Sequence, residues 1–179
     1  MNMPLPQVTV GPREHRGVPR LPNDTGPLDS MMTAFYVEVD AAIAARKPVC
    51  VNRGDCCKLD SFGHRMFVTD VELAYFTQGV HHRWRSPDGS GSCPYQQEGR
   101  CTAREHRPLG CRIFFCDPQA RAWQGPEYER RLAELKGIGE KLGFAYRYRE
   151  WLSALSETER RPSADLPTSV DGQARKGVE

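Results

Sequence analysis

The stretch "GRCTAREHRPLGCRIFFC", Gly99–Cys116, contains three of the seven cysteines of this chain within eighteen residues. A second stretch, "CVNRGDCC", Cys50–Cys57, contains three more, and Cys93 is the seventh. Glycine, proline and arginine surround these cysteines, and such residues are typical of loops rather than of regular helices or strands. The sequence therefore predicts a middle region in which thiols from separate loops converge.

The ends of the chain differ from this middle region in composition. Residues 1–27 contain six prolines and few large apolar side chains, and residues 157–179 are charged, contain proline and have no aromatic residue. Segments of this kind cannot bury enough apolar surface to fold by themselves. We expect a disordered tail over residues 1–27, a cysteine-cluster metal-binding domain over residues 28–156 and a second disordered tail over residues 157–179.

Cysteine usage and charge limit the classes of function. No apolar segment of the 179 residues is long enough for a signal peptide or a membrane helix, so we expect a cytoplasmic protein without a membrane partner. Disulfides are rare in that reducing compartment, which favours metal ligation or thiol chemistry. The net charge of +2 is nearly balanced and gives no support to nucleic-acid binding.

Helical spacing of apolar residues predicts a first helix from Asp29, as its N-cap, to about Arg46, and Lys47-Pro48 should end it. A β-like run over Met66–Val68 leads into "TDVE", a capping-box pattern. That pattern predicts a second helix from Asp70 to before Gly79.

The last third of the chain shows two further patterns. A helix is expected after Pro126, with Gly143 closing it, because apolar residues recur on one helical face. Alternating aromatic residues from Phe144 to Tyr148 then predict an amphipathic strand, with a strand or helix near Trp151. Together these elements indicate an α+β fold: a small, irregular, metal-stapled domain with flanking helices and disordered termini.

Thiol chemistry favours a metal over a purely structural explanation. The cysteine spacing matches neither a zinc ribbon nor a ferredoxin run. A thiolate in a loop-rich site of low dielectric nevertheless needs positive charge, which a metal supplies well. Arg53, Arg107 and Arg112 lie beside the cysteines in sequence and could offset their negative charge. The alternative is that several cysteines simply fill the core.

The two stretches also resemble a known family. "CVNRGDCC", Cys93-Pro94 and "GRCTAREHRPLGCRIF" are similar to the three elements of the YkgJ-type cysteine-cluster family, whose members are described as zinc- or iron-chelating. The resemblance covers residues 49–116. It departs from the family pattern at Arg53, where the family has a cysteine, and at Arg104, where it has a tyrosine.

The resemblance implies that the cysteines are metal ligands and that the cofactor is zinc or iron, the latter including a 4Fe-4S cluster. All seven are candidates: Cys50, Cys56, Cys57, Cys93, Cys101, Cys111 and Cys116. The favoured set of four is Cys50, Cys57, Cys101 and Cys111, and Cys116 could replace the thiol lost at Arg53. His64 or His106 could complete a mixed ligand set. Neighbouring cysteines 56 and 57 can share one centre only if the loop turns sharply at Gly54-Asp55.

Three functions remain open at this point. The first is a structural metal site, which predicts stoichiometric zinc, no colour and loss of the fold on chelation. The second is an iron-sulfur protein, or an iron-sulfur enzyme or enzyme subunit acting in redox or modification chemistry. The sequence lacks a glycine-rich nucleotide loop and the common hydrolase motifs, so it names no catalytic residue. The third and least supported function is nucleic-acid binding through "HHRWR", His81–Arg85. The sequence names no protein partner.

Overall fold

The fold was obtained as a computed structural model, which describes residues 26–50 and 53–159. The predicted disordered tails fall outside the described residues over 1–25 and 160–179. In chain order the helices and strands are α1 (Gly26–Arg46), β1 (Phe67–Thr69), α2 (Asp70–Val80), β2 (Gln96–Gln97), β3 (Arg100–Cys101), α3 (Leu109–Ile113), α4 (Arg121–Lys141), β4 (Tyr148–Glu150) and α5 (Trp151–Glu159).

The predicted α+β class is confirmed at this level. Helices dominate the described part of the chain, and two small antiparallel sheets accompany them. Strand β1 pairs with β4 so that Phe67 faces Glu150, and β2 pairs with β3 so that Gln96 faces Cys101. The first pairing joins strands about eighty positions apart, whereas the second is a local hairpin. Of the two strand pairings, therefore, only β1–β4 joins the C-terminal part of the chain to its middle.

Helix α1 begins earlier than the sequence predicts. It starts at Gly26, so Asp29 lies within the first turn and the prediction that Asp29 is the N-cap is wrong. Proline is well tolerated near a helix start, because the first backbone N–H groups have no partner within the helix. Pro27 therefore does not stop the helix. Its end at Arg46, followed by Lys47 with a φ of 49°, confirms the predicted stop.

Helix α2 begins at Asp70, which confirms the predicted capping box. Thr69 N–H donates to Glu72 Oε2 at 2.9 Å, and Glu72 N–H donates to Thr69 Oγ1 at 3.4 Å. The other carboxylate oxygen of Glu72 accepts the backbone N–H of Leu109 at 2.8 Å. A single buried carboxylate therefore caps α2 and also holds the start of α3 against it.

Two predictions for the last third of the chain need correction. Helix α4 starts at Arg121 and includes Pro126, five residues into the helix, rather than starting after it. The strand covers only Tyr148–Glu150 and not the run from Phe144. The reason is electrostatic: Arg147 and Arg149 form ion pairs of 2.5 and 2.9 Å with buried Asp70, so the arginine side of the run turns inward. The aromatic side at Tyr148 stays partly exposed.

Two hydrophobic clusters share helix α2. One packs α2 against α1, α3 and α4, with Met32, Leu109 and Leu135 at its centre. The other packs the opposite face of α2 against α5, with Phe76 and Trp151 in edge-to-face contact at a ring separation of 4.8 Å. Because most residues of α2 are buried, the polar Asp70 and Glu72 included, it is a buried central helix. The cysteine-bearing loops lie at the border of the second cluster.

Candidate metal centre

Six of the seven cysteines line one cavity of about 640 Å³. They come from the loop before β1, from the hairpin that contains β2 and β3, and from α3 and the segment after it. These six are Cys56, Cys57, Cys93, Cys101, Cys111 and Cys116. The fold therefore brings the two cysteine-rich stretches of the sequence to the same place, although they are separated by the whole of α2.

The Cys56–Cys57 pair shares one face of a tight turn. Gly54 has a φ of 73°, and the chain then forms a short 3-10 turn over Asp55–Cys57. This turn brings the two sulfur atoms to 4.0 Å from each other. Sulfur ligands of one tetrahedral zinc or iron lie about 3.8 Å apart, since each metal–sulfur bond is about 2.3 Å. The sharp turn that the sequence analysis required is thus present.

The hairpin brings Cys93 and Cys101 to the same cavity. Cys93 N–H donates to the carbonyl of Cys57 at 2.8 Å, so the hairpin is attached directly to the Cys56–Cys57 turn. Cys101 lies opposite Gln96 in the β2–β3 ladder. Cys93 and Cys101 also pack against the second hydrophobic cluster. For these two cysteines, the structure supports the alternative that cysteines fill the core.

Cys111 occupies the middle of α3. Burial raises the pKa of its thiol well above the usual range, and negative charge at Cys93, Cys101 or Cys56 would raise it further. Such mutual influence requires the groups to be close in a weakly screened environment. Cys56 lies at the exposed side of the cavity, where a hydrogen bond with Cys57 lowers its pKa to about 6. The site therefore combines the easily ionised thiol of Cys56 with the buried thiol of Cys111, which needs a nearby cation to ionise.

Cys50 is the exception among the predicted ligands. It is exposed and is not among the residues that line the cavity, so only Cys57, Cys101 and Cys111 of the favoured set of four meet there. Its neighbour Val49 donates its backbone N–H to Asp117 Oδ2 at 3.0 Å. This bond holds the Cys50 segment beside the segment of Cys116, which does line the cavity.

The three arginines named in the sequence analysis have different roles. Arg107 lines the cavity; burial lowers the pKa of its guanidinium, and negative charge at Cys111 and Cys101 would oppose that change. Arg112 instead lies over the ring of Tyr36 at 4.1 Å and pairs with Asp40 at 2.7 Å, so it joins α3 to α1. Arg53 is exposed and pairs with Asp55 at 3.1 Å. Only Arg107 is placed to offset thiolate charge.

The two candidate histidines also separate. His64 lines the cavity, and its Nε2 lies 3.2 Å from the carbonyl oxygen of Cys56. His106 is not among the lining residues; its ring packs edge-on against Tyr75 at a centroid distance of 5.5 Å and lies over Gly79. Burial lowers the pKa of His106. Its surroundings are those of a half-buried side chain packed against Tyr75 and Gly79 rather than of a ligand.

Several lining residues were missed by the sequence analysis. Trp151 Nε1 donates a hydrogen bond to Cys93 Sγ at 3.4 Å. Two aromatic pairs also line the cavity: the ring of Phe67 stacks on that of Tyr148 at a centroid distance of 5.2 Å, and the ring of Phe114 packs against that of Tyr128 at 5.0 Å. These residues come from distant parts of the chain, and no local pattern marks them as neighbours. The alternation around Tyr148 was the only local signal, and it predicted a strand rather than a cavity wall.

In residues 26–50 and 53–159, no three cysteine, histidine, aspartate or glutamate side chains are arranged so that they could hold one metal ion. No described helix is long and apolar enough to cross a membrane. No protein-family model, curated protein or solved structure matches this chain.

Proposed function

We propose that this protein binds a metal centre, zinc or an iron-sulfur cluster, through thiolates that line the cavity. The observation that carries the proposal is the convergence of six cysteines from two distant stretches of sequence on one cavity that also contains Arg107. Core cysteines have no need of a neighbouring cation, whereas anionic thiolates do. The donor chemistry of the cavity therefore fits a thiolate-ligated centre.

Arg107 adds an electrostatic argument. Its Nε donates to the carbonyl of Arg104 at 3.3 Å, and no carboxylate of the described residues forms an ion pair with it. Burial of the guanidinium lowers its pKa, and negative charge at Cys111 and Cys101 opposes that change. A partly buried cation is expected to have an anionic partner. Thiolates of a metal centre would supply that partner here.

Metal binding would require the sulfur atoms to move closer together than they lie in the structure. The Cys56–Cys57 pair already has a suitable separation, 4.0 Å between sulfur atoms. Cys93 and Cys116 lie in loops, Cys101 lies in the two-residue strand β3, and Cys111 lies in the five-residue helix α3, so none of them belongs to a long element. Such segments adjust at low cost, and metal binding commonly orders them.

Of the two kinds of centre, the cavity favours an iron-sulfur cluster. A structural zinc site is closed and uses four ligands, whereas six cysteines are among the residues that line this cavity, whose volume is about 640 Å³. A cluster is larger than one ion and uses four thiolates. When bound, it would supply one-electron redox chemistry, with Cys57, Cys93, Cys101 and Cys111 as the more enclosed ligands and Cys56 and Cys116 at the exposed side.

A structural zinc remains the second candidate, because one observation favours it. Between α2 and α3, the chain forms only 3-10 turns and the two-residue strands β2 and β3. A segment with so little regular structure benefits from a metal staple, which would account for the metal-stapled fold that the sequence predicts.

Anaerobic purification of the full chain followed by elemental analysis tests the proposal. Iron and sulfide with absorbance near 400 nm support the cluster, and about one equivalent of zinc without colour supports the structural site. Protein that contains neither metal, and that takes up neither zinc nor iron with sulfide after reduction of its thiols, would contradict the proposal.

A further inference from the structure

Four aromatic residues of the cavity are in contact with one another. The ring of Phe67 stacks on that of Tyr148, and the ring of Phe114 packs against that of Tyr128. The hydroxyl groups of Tyr128 and Tyr148 are 2.5 Å apart, so the two pairs are joined. We call these four residues, all of which line the cavity, the aromatic wall. Phe114 and Tyr148 are 43% and 41% exposed, so part of the wall is accessible to a ligand.

Aromatic rings grouped in this way attract positive charge. The face of a ring is the negative part of its quadrupole, and a cation within about 6 Å of the ring centre is stabilised by it. An anion against the same face is repelled. The cavity volume of about 640 Å³ lies within the range of small-molecule sites. The wall by itself therefore favours a cationic or neutral small molecule over an anionic one.

The carboxylate of Glu129 favours a cation over a neutral molecule. Glu129 lines the cavity, and among the described residues it forms no ion pair. Burial raises the pKa of both hydroxyl groups of the wall, and negative charge at Glu72 and Glu129 raises it further. Glu72 is already occupied, because it accepts the backbone N–H groups of Thr69 and Leu109. Glu129 is therefore the carboxylate near the wall that is available to a ligand.

Two arginines also line the cavity, and neither reverses this preference at the wall. The charge of Arg107 is opposed by the thiols, since negative charge at Cys111 and Cys101 acts on it. Among the described residues, the charged groups with the largest effect on the wall hydroxyls are the two carboxylates, and neither Arg65 nor Arg107 is one of them. The charge that dominates at the wall is therefore negative.

We infer that the aromatic wall and Glu129 bind a small organic cation that carries an alkylated ammonium group. A primary ammonium group has three N–H donors, whereas the wall offers one carboxylate and two hydroxyl groups that are already bonded to each other. An alkylated ammonium group needs fewer acceptors and places its methyl groups against the rings. The inference goes beyond metal binding and does not require it. A thiolate-ligated centre in the same cavity would add negative charge and favour the same ligand.

Three small probes test the sign of the charge. Choline and its carbon isostere 3,3-dimethylbutan-1-ol share one shape and differ in charge, and 3,3-dimethylbutanoate carries the opposite charge. Calorimetric titration of the full chain should show the tightest binding for choline, weaker binding for the alcohol and the weakest for the carboxylate. Equal affinity for choline and the alcohol, tighter binding of the carboxylate, or no binding of choline would overturn the inference.

Two substitutions test the residues themselves. Phe114→Leu keeps an apolar side chain but removes the ring, so it should weaken binding of choline about four-fold and leave that of the alcohol nearly unchanged. Glu129→Gln keeps the size of the side chain and removes its charge, so it should weaken binding of choline about three-fold. Tyr146→Leu and Glu140→Gln are matched controls, because these exposed residues do not line the cavity. Unchanged choline affinity in either Phe114→Leu or Glu129→Gln would overturn the inference.

Metal content measured on the same preparations separates this inference from the proposed function. Protein that contains metal but binds no choline contradicts only the cation site. Protein that binds choline but neither contains nor takes up zinc or iron contradicts only the metal centre.

Discussion

The indole nitrogen of Trp151 donates a hydrogen bond to the sulfur of Cys93 over 3.4 Å. Trp151 is 2% exposed and lies at the start of α5, whereas Cys93 belongs to the hairpin loop. This bond lowers the pKa of Cys93, opposing the larger effect of burial, which raises it. The C-terminal helix therefore contributes directly to the electrostatics of the candidate centre.

Trp151→Phe is expected to weaken metal retention about ten-fold, because hydrogen bonds to metal ligands commonly contribute that much to affinity. The measurement is competition for the bound metal with a chelator. Trp84→Phe is the matched control, since the buried indole N–H of Trp84 has no hydrogen-bond partner among the described residues. Equal retention in the two variants would show that the bond to Cys93 has no role in binding.

Gly54→Ala should unfold at lower urea concentration, with a loss of about 2 kcal/mol in the free energy of unfolding. Gly54 has a φ of 73°, and a Cβ there would lie 2.8 Å from the Cα of Gly99. Gly89→Ala is the control, because Gly89 also has a positive φ but an open surrounding. A loss no greater than that of Gly89→Ala would contradict the importance of the close approach to Gly99.

Glu72→Ala should destabilise the protein by about 3 kcal/mol, because it leaves the N–H groups of Thr69 and Leu109 without their acceptor. Urea unfolding monitored by circular dichroism measures the loss. The exposed helix residue Glu140 provides the control, and Glu140→Ala should change stability by less than about 0.5 kcal/mol. Similar stability of the two variants would contradict the double capping role of Glu72.

His106 should make the fold sensitive to acid. Burial lowers its pKa; the nearby charges are Glu105 and Asp29, which raise it, and Arg83 and Arg112, which lower it. The unfolded chain has a histidine pKa near 6.5, so between that value and the lower folded value the unfolded state binds more protons. This contribution to stability is therefore present above about pH 6.5 and is lost as the pH falls through the folded pKa.

The measurement is the urea midpoint between pH 7 and pH 5. It should fall in the original protein and fall less in His106→Gln, because glutamine does not titrate. Metal content should be the same in both, since His106 is not at the cavity. Parallel pH profiles would remove His106 as the cause, and a loss of metal in His106→Gln would contradict its structural role.

Local sequence patterns predicted the elements whose signals are local. The capping box at Thr69–Glu72 placed the start of α2 correctly, because its hydrogen bonds join residues three apart. The strand expected from Phe144 is present only over Tyr148–Glu150, because the inward-facing side of the run is decided by Asp70, a residue more than seventy positions away. No periodicity within the run contains that information.

The same distinction applies to the candidate site. The grouping of cysteines on either side of α2 predicted that distant thiols converge, and six of them do line one cavity. The stacking of Phe67 on Tyr148 and the position of Trp151 directly after β4 follow from the pairing of β1 with β4, which no local pattern specifies. The packing of half-buried His106 against Tyr75 and Gly79 likewise depends on tertiary contacts that no local pattern specifies.

The central claim is that thiols from both cysteine-rich stretches bind one centre, and metal content per chain tests it most directly. Cys57→Ala in the first stretch and Cys111→Ala in the second should each lose most of the metal, whereas Cys50→Ala, outside the cavity lining, should retain it. Cys57 is only partly buried, so Cys57→Ala decides the matter even if Cys111→Ala is insoluble. Full metal content in Cys57→Ala, or metal loss confined to Cys50→Ala, would contradict the account.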